Sequence, residues 1–318
     1  MGEEAIGRSA GPLAGLLPRP GAQTGSIVVD APGDGPGHWA GGPSAAWVDG
    51  TFWLAYRLRR PVGAGRGYAN VVARSADGER FDTVAVVTSD QMSCASLERP
   101  ALVPMKDGTW RLYISCATPG SLHWRVDVLE ADDPARLAHG RRATVLAGDA
   151  TTAWKDPVVW CRGGVWQMWV CRHRTDVPAD GDRMDTWYAT SPDGITWSLE
   201  GVAMHGRPGR WDQRGARITA VVPVDGGYAA YYDGRPTADD NWAEQTGIAF
   251  GTSPSRFEPL GDEPWATPEG GVGALRYMSI LSLPRGGQRV YYEIARPDGP
   301  HDLRTEYVPR PGLASQSS

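Results

Sequence analysis

No stretch of this chain is long and apolar enough to span a membrane as a helix. Its start, MGEEAIGRSAGPLAGLLPRP, lacks the basic opening, apolar run and cleavage site of a signal peptide. Cysteine is scarce: Cys94, Cys116, Cys161 and Cys171 are the only four in 318 residues. They show no C-x-x-C pair and no metal-like spacing with histidine, so reduced, packed thiols in a cytoplasmic protein are expected. With no Gly-rich nucleotide loop either, no organic cofactor and no metal ligand set are expected. Positive charge is not in excess. A net charge of −5 and a pI near 5.7 argue against a general nucleic-acid surface, so neither nucleic acid nor membrane is expected as a partner.

Turn formers and tryptophan are abundant, with 41 Gly, 26 Pro and 14 Trp. These suit many tight turns joining short, aromatic-rich strands. Three prolines mark a repeated phrase: Pro43 in GGPSAAWVDG, Pro100 in ERPALVPMKDG and Pro157 in KDPVVWCRGG, spaced 57 residues apart. Such a period on strand-like segments signals a β-propeller, one phrase per blade. A second strand follows each Gly-containing turn: FWLAYR (52–57), WRLYISC (110–116), VWQMWVCR (165–172), YAAYYDGR (228–235) and RVYYEIAR (289–296). A third strand with its turn recurs as ARSADGERF (73–81), ATSPDGITW (189–197) and, degraded, GTSPSRF (251–257). In that turn Ser and Asp bond local backbone and Gly permits the bend.

The expectation is therefore an all-β, five-bladed β-propeller with blades of about four antiparallel strands around a central channel. A single domain over 21–310 is flanked by a flexible leader (1–20) and tail (311–318). GSIVVDA (25–31) is expected to supply the missing outer strand of the fifth blade, joining the chain ends and removing exposed sheet edges.

Strands alternate in direction within a blade, so first-strand starts and second-strand ends share one face. That face collects His38, Trp39, Glu98, Arg99, Trp154, Lys155, Asp156, Trp211, Arg217, Arg276 and Tyr277 from strand starts. Strand ends add Arg172, His173, Asp233, Arg235 and Glu293. Glycoside cleavage needs two carboxyl groups, one protonated and one ionised, beside flat aromatic surfaces for the sugar. Asp156, Glu98, Asp233 and Glu293 are the candidate catalytic acids, and the remaining residues are candidate substrate contacts. So many arginines on one face point to a partner carrying a phosphate or carboxylate group.

These features resemble the five-bladed propeller glycosidases: glycoside hydrolase family 43 and its relatives, with the mannoside phosphorylases of family 130. The likeness rests on the repeat, the strand starts at Asp-Pro or a variant, and the Ser-x-Asp-Gly-x-x-aromatic turns, over about residues 25 to 310. It implies an Asp base on the first blade, an Asp tuning its pKa on a later blade and a Glu acid on another. Lys155-Asp156-Pro157 fits the tuning Asp, or a base if roles have moved. The chain departs from that pattern twice: Gly42 stands at the first-blade base position, and Asp212 with arginines stands where a Glu would begin the fourth blade. Three readings follow: an enzyme cleaving a short or modified glycoside, a phosphorylase or small-molecule tailoring enzyme, and a saccharide-binding propeller without catalysis.

Overall fold

A computed structural model describes residues 17–20, 25–269 and 273–309. It is a five-bladed β-propeller. The first blade is β2 (Trp39–Val48), β3 (Thr51–Arg59), β4 (Gly67–Ser75) and β5 (Asp82–Thr88). The second is β6 (Leu97–Pro104), β7 (Trp110–Ala117), β8 (Trp124–Ala131) and β9 (Arg141–Leu146). The third is β10 (Thr152–Arg162), β11 (Val165–Arg174), β12 (Asp185–Ser191) and β13 (Ser198–Met204). The fourth is β14 (Arg217–Val224), β15 (Gly227–Gly234), β16 (Gln245–Ser253) and β17 (Arg256–Pro259). The fifth takes β18 (Leu275–Ser282), β19 (Gln288–Ala295) and β20 (His301–Val308) from the end of the chain. Its outer strand is β1 (Ser26–Val29), antiparallel to β20. The 25–31 segment thus closes the ring as its composition suggested. One parallel bridge, Trp39 to His301, also joins the fifth blade to the first.

The repeated proline phrase has a local cause. In every blade the pairing of first and second strands skips near the start: between Gly41 and Ser44, Leu97 and Pro100, Lys155 and Val158, Ile218 and Ala220, and Arg276 and Ser279. A bulge leaves a residue out of the ladder, so proline's missing N–H costs little there. Bulge residues Gly42, Asp156 and Tyr277 have φ of 60°, 57° and 56°. In an aspartate and a tyrosine that conformation is strained, and it re-aims both side chains toward the axis.

The Ser-x-Asp-Gly turns form as expected. Ser75 Oγ accepts from Gly78 N at 2.8 Å while Asp77 accepts from Glu79 and Arg80, and Ser191 and Asp193 repeat the arrangement. Each turn is tied to its neighbour blade by one ring. Tyr291 Oη donates to Gly78 O at 3.0 Å, Tyr113 Oη to Gly194 O at 2.8 Å, and Trp169 Nε1 to Pro254 O at 2.7 Å. Tyr231, at the matching place in β15, donates instead to Pro18 O at 3.0 Å. Among the described residues the fifth blade shows no such turn; its outer strand comes from the other end of the chain. The 17–20 segment, within the stretch read as a leader, fills that place: Leu17 is buried and Trp265 Nε1 also donates to Pro18 O. Residues 1–16 and the 311–318 tail lie outside the described residues. In the second blade a 3-10 helix, Pro134–His139, replaces the turn and buries Leu137. The four thiols are unpaired; Cys116 and Cys171 are packed as expected, whereas Cys161 is exposed, on the last turn of β10 beyond the core.

Replacing Tyr291 by Phe keeps the ring and strands the Gly78 carbonyl. The expected cost is about 1 kcal/mol, read as a lower urea midpoint with an unchanged m-value.

Candidate functional site

A funnel of about 530 Å³ opens on the face where first strands begin and second strands end. Eight arginine and lysine side chains line it against three carboxylates, Glu98, Asp182 and Glu244, although the chain as a whole is acidic. Its apolar walls are Trp39, Trp124, Trp242 and the Tyr277 ring.

Beneath and around the funnel, buried charges alternate. Arg59 donates to Glu98 Oε1 at 3.1 Å, and Arg57 joins Glu98 Oε2 to Glu293 Oε2, the latter at 2.7 Å. Glu293 Oε1 accepts from Arg276 Nη2 at 2.7 Å and faces His301 Nδ1 at 2.7 Å. Arg276 also binds Glu244, whose other oxygen accepts from Arg235 at 3.1 Å. Arg217 then bridges Asp233 (2.9 Å, through Nη2) and Asp156 (3.2 Å, through Nη1). The Tyr277 hydroxyl donates to the same Asp156 oxygen at 3.3 Å, and the Tyr277 N–H is 3.1 Å from Asp233. Asp156 Oδ1 is buried and has no partner among the described residues.

Arg99 lies on the axis below. Its guanidinium donates to the carbonyls of Pro43, Thr219 and Met278, so one side chain from the second blade ties the first, fourth and fifth. Burial, only partly offset by Asp156 and Asp233, brings its pKa down to about 10.

These partners fix the charge states. Burial opposes ionisation of Glu98, but Arg57, Arg59 and Lys155 outweigh it and hold the carboxyl at about 2. Burial is likewise overruled at Glu244 by Arg276, Arg217 and Arg235, and at Glu293 by Arg276, Arg57 and His301; both titrate below the usual carboxylate range. Asp233 goes the other way. Burial exceeds what Arg217 returns, Glu244 adds repulsion, and the carboxyl titrates at about 6. His173 is kept neutral by burial and by the charges of Lys155 and Arg235.

The structure brings many of the sequence candidates together and sets others aside. Trp39, Glu98, Lys155, His173, Arg217, Arg235, Arg276 and Tyr277 line the funnel. Asp156, Asp233 and Glu293 are fully buried behind it, reached through Tyr277, Arg217 and Arg276. Arg99 is the axial tie. Four candidate contacts do not line the funnel. Trp154 turns into the core against Trp187 with ring centroids 5.7 Å apart, and Arg172 covers the same Trp187 ring. Trp211 stacks on Tyr232, and His38 packs against Gly33 while its carbonyl accepts from His301 N. Sequence reasoning missed Arg59, Arg66, Trp124, Asp182, Trp242 and Glu244. Arg59 was findable, two residues beyond Arg57 on the same strand face. Most of the others sit on or beside the connections between second and third strands, which also open on this face but do not repeat. Among the described residues no group of three His, Cys, Asp or Glu side chains is placed to hold a metal ion. None of the described helices could cross a membrane.

No protein-family model matches the sequence, and no curated protein matches it. Solved structures do match in fold. A thermostable family-43 glycoside hydrolase superposes with a TM-score of 0.67 at 12% identity, covering 89% of this chain and 92% of that one. An α-L-arabinofuranosidase from Lactobacillus brevis gives 0.64 at 12% identity, covering 86% and 94%. A structure from the GH130 family of mannoside phosphorylases, which contains glycoside hydrolases that target β-1,2 mannosidic linkages in Candida mannan, gives 0.58 at 15% identity, covering 95% of each chain. At these identities the likeness establishes the fold, the propeller of these glycosidases.

The charge states make a pH prediction. Glu98, Glu244 and Glu293 have depressed folded-state pKa values, so their contribution is present above the unfolded value of 4.5 and lost as pH falls toward about 2. Asp233 has the opposite sign, favouring the folded state as pH falls from about 6 to 3.8. With three groups against one, the thermal midpoint should hold between pH 6 and 5 and fall steeply below 4.5. A midpoint unchanged down to pH 3 would show that the buried pairs do not govern acid stability.

Proposed function

We propose that the protein is a glycosidase-like enzyme that takes a short or modified glycoside carrying an anionic group into the funnel. The observation that supports it best is the Asp156–Arg217–Asp233 cluster under Tyr277: two carboxylates share one guanidinium, and one of them holds its proton to about pH 6. A cleaving site needs two carboxyl groups, one of which carries a proton. Tyr277 borders the funnel and its buried hydroxyl donates to Asp156, so in this reading a proton taken from an attacking nucleophile passes through that hydroxyl to the Asp156 carboxylate. Asp233, buried behind the funnel at Arg217 and Tyr277 and protonated below about pH 6, is the acid proposed to supply the proton that the leaving group takes. Glu98 and Glu293 then act as fixed negative charges that hold Arg57 and Arg276 in place.

One observation favours a second reading, a saccharide-binding propeller without catalysis. Glu98 and Glu244 reach the funnel surface, yet arginine bonds on both oxygens keep them ionised. Incubation with a panel of aryl and natural glycosides, with and without inorganic phosphate and read by mass spectrometry, separates the readings. Cleavage in water alone makes it a hydrolase. Cleavage only with phosphate makes it a phosphorylase, and binding without product makes it the binding propeller.

For the cleaving enzyme, Asp156→Asn should lower kcat by about 10²–10⁴-fold with the fold intact, and Tyr277→Phe should lower it in the same direction. The rate should fall as pH rises through about 6, where Asp233 loses its proton. Unchanged turnover in Asp156→Asn would make that carboxylate structural.

A further inference from the structure

We propose that the side of the funnel flanked by Trp124 and Trp242 is a subsite for a carboxylate-bearing sugar ring, with Arg59, Arg66 and Lys155 taking the carboxylate and Trp242 the ring face. This deepens the saccharide reading above and rests on it.

The arginines that the sequence puts forward for an anion are already engaged. Arg217, Arg235 and Arg276 each lie between two or more carboxylates. Three other cations differ. Arg59 has a single carboxylate partner, Glu98, which it shares with Arg57, and its Nε is buried without a partner. Arg66 has no carboxylate within ion-pair distance among the described residues. The nearest carboxylate oxygen to Lys155 Nζ is 3.8 Å away.

Indole rings add to the few acid contacts of these three. Arg59 lies 4.3 Å from the Trp39 ring centroid, and Arg66 and Lys155 lie 5.7 and 5.3 Å from the same Trp124. A cation over a π face keeps its N–H donors free for a ligand, which a carboxylate partner would consume. Arg59 is crowded by like charge: burial first, then Arg57, Arg276 and Arg66, lower its pKa despite Glu98. An anion bound among them relieves both the desolvation and the repulsion.

Trp242 identifies the anion as part of a larger molecule. It stands at the funnel mouth on the β15–β16 connection, 46% exposed, with φ of 86°. A bulky residue is strained in that conformation, and here edge contact with Trp39 (5.7 Å) and the Arg59 guanidinium (5.6 Å) hold it. An exposed indole beside free cations suits a pyranose with an attached carboxylate: the ring's apolar face meets the indole and the charge meets the guanidinium. A bare inorganic anion would have no use for it.

The test is calorimetric titration of the full chain with D-glucuronate, D-galacturonate, D-glucose, D-galactose and inorganic phosphate. Uronates should bind about tenfold or more tightly than the matching neutral sugars. Arg66→Gln, on the connection between β3 and β4 and without an ion pair to lose, should remove most of that preference and leave neutral-sugar affinity unchanged; Arg59→Gln should lower uronate affinity further, with some loss for neutral sugars because Arg59 also holds Trp242. Trp242→Ala should weaken uronate and neutral sugar alike, with Trp242→Phe restoring much of the loss. Equal affinity for uronates and neutral sugars, or uronate binding unaffected by Arg66→Gln and Arg59→Gln, overturns the subsite and leaves the saccharide reading standing. Phosphate binding more tightly than either uronate overturns the assignment of a sugar acid. If no sugar binds, the saccharide reading fails and the subsite fails with it.

Discussion

The alternation of arginine and carboxylate beneath the funnel is the constraint on which the rest of this structure depends. From Arg59 through Glu98, Arg57, Glu293, Arg276, Glu244 and Arg217 to Asp233 and Asp156, positive and negative groups follow one another across all five blades. Each of these groups is nearly or fully buried. A lone buried charge is costly, so each requires its neighbours on both sides. The pairs need not make the fold more stable than an apolar floor would. They do make it specific, because a blade out of register would leave charges unmatched on both sides of the gap. The same pairing removes Glu98, Glu244 and Glu293 from proton transfer and leaves Asp233, where burial outweighs its single arginine, and Asp156, whose Oδ1 has no partner among the described residues.

The departures from the glycosidase acid pattern have a spatial explanation. A side chain at Gly41 would place its Cβ 1.9 Å from Glu293 Oε2. One at Gly42 would stand 3.3 Å from the Arg99 backbone and Cβ, at a φ of 60° that disfavours any L side chain. The first-blade position Gly42 is thus closed to a side chain by Arg99 and its own φ, while a carboxylate from the fifth blade fills the space beside Gly41. Arg99 closes the axis immediately below, and its three carbonyl partners leave little room for a longer side chain there. The missing acid and the axial arginine are two sides of one packing solution.

Much of this was legible in the sequence, for reasons that can be named. The Pro43, Pro100 and Pro157 repeat is the bulge at each strand start, a feature that proline tolerates and an ordinary ladder does not. The Ser-x-Asp-Gly turns could be read because their bonds are local. The pairing of β1 with β20 could be inferred because the fifth blade was one strand short. What could not be read was set by direction and by loops. Trp154 sits at a strand start like Trp39, and Trp211 lies in the turn that precedes β14; both pack away from the funnel, against Trp187 and Tyr232. Arg66, Trp242 and Glu244 lie on or beside connections with no counterpart in other blades, so no repeat could align them. The 17–20 segment was read as a leader because its composition is irregular. Its fixed element is a backbone carbonyl, which carries no sequence signature.

The position of the charge excess also follows from the closure of the ring. The alternating chain runs through the fifth and fourth blades without a break, whereas the second blade supplies one acid, Glu98, to two arginines and also acts on Lys155. The second blade's own bulge residue is Arg99, which turns toward carbonyls on the axis and brings a further cation near Asp156 and Asp233 instead of an acid. One blade thus contributes too little negative charge: Arg59 shares Glu98 with Arg57, Lys155 has only Asp156 at 3.8 Å, and Arg66 has no carboxylate partner among the described residues. Tryptophan fills that deficit in part: Trp39 and Trp124 steady the unmatched cations without discharging them. A carboxylate in those positions would have completed the alternation and left a neutral floor. With indoles there, the positive field stays open to the funnel.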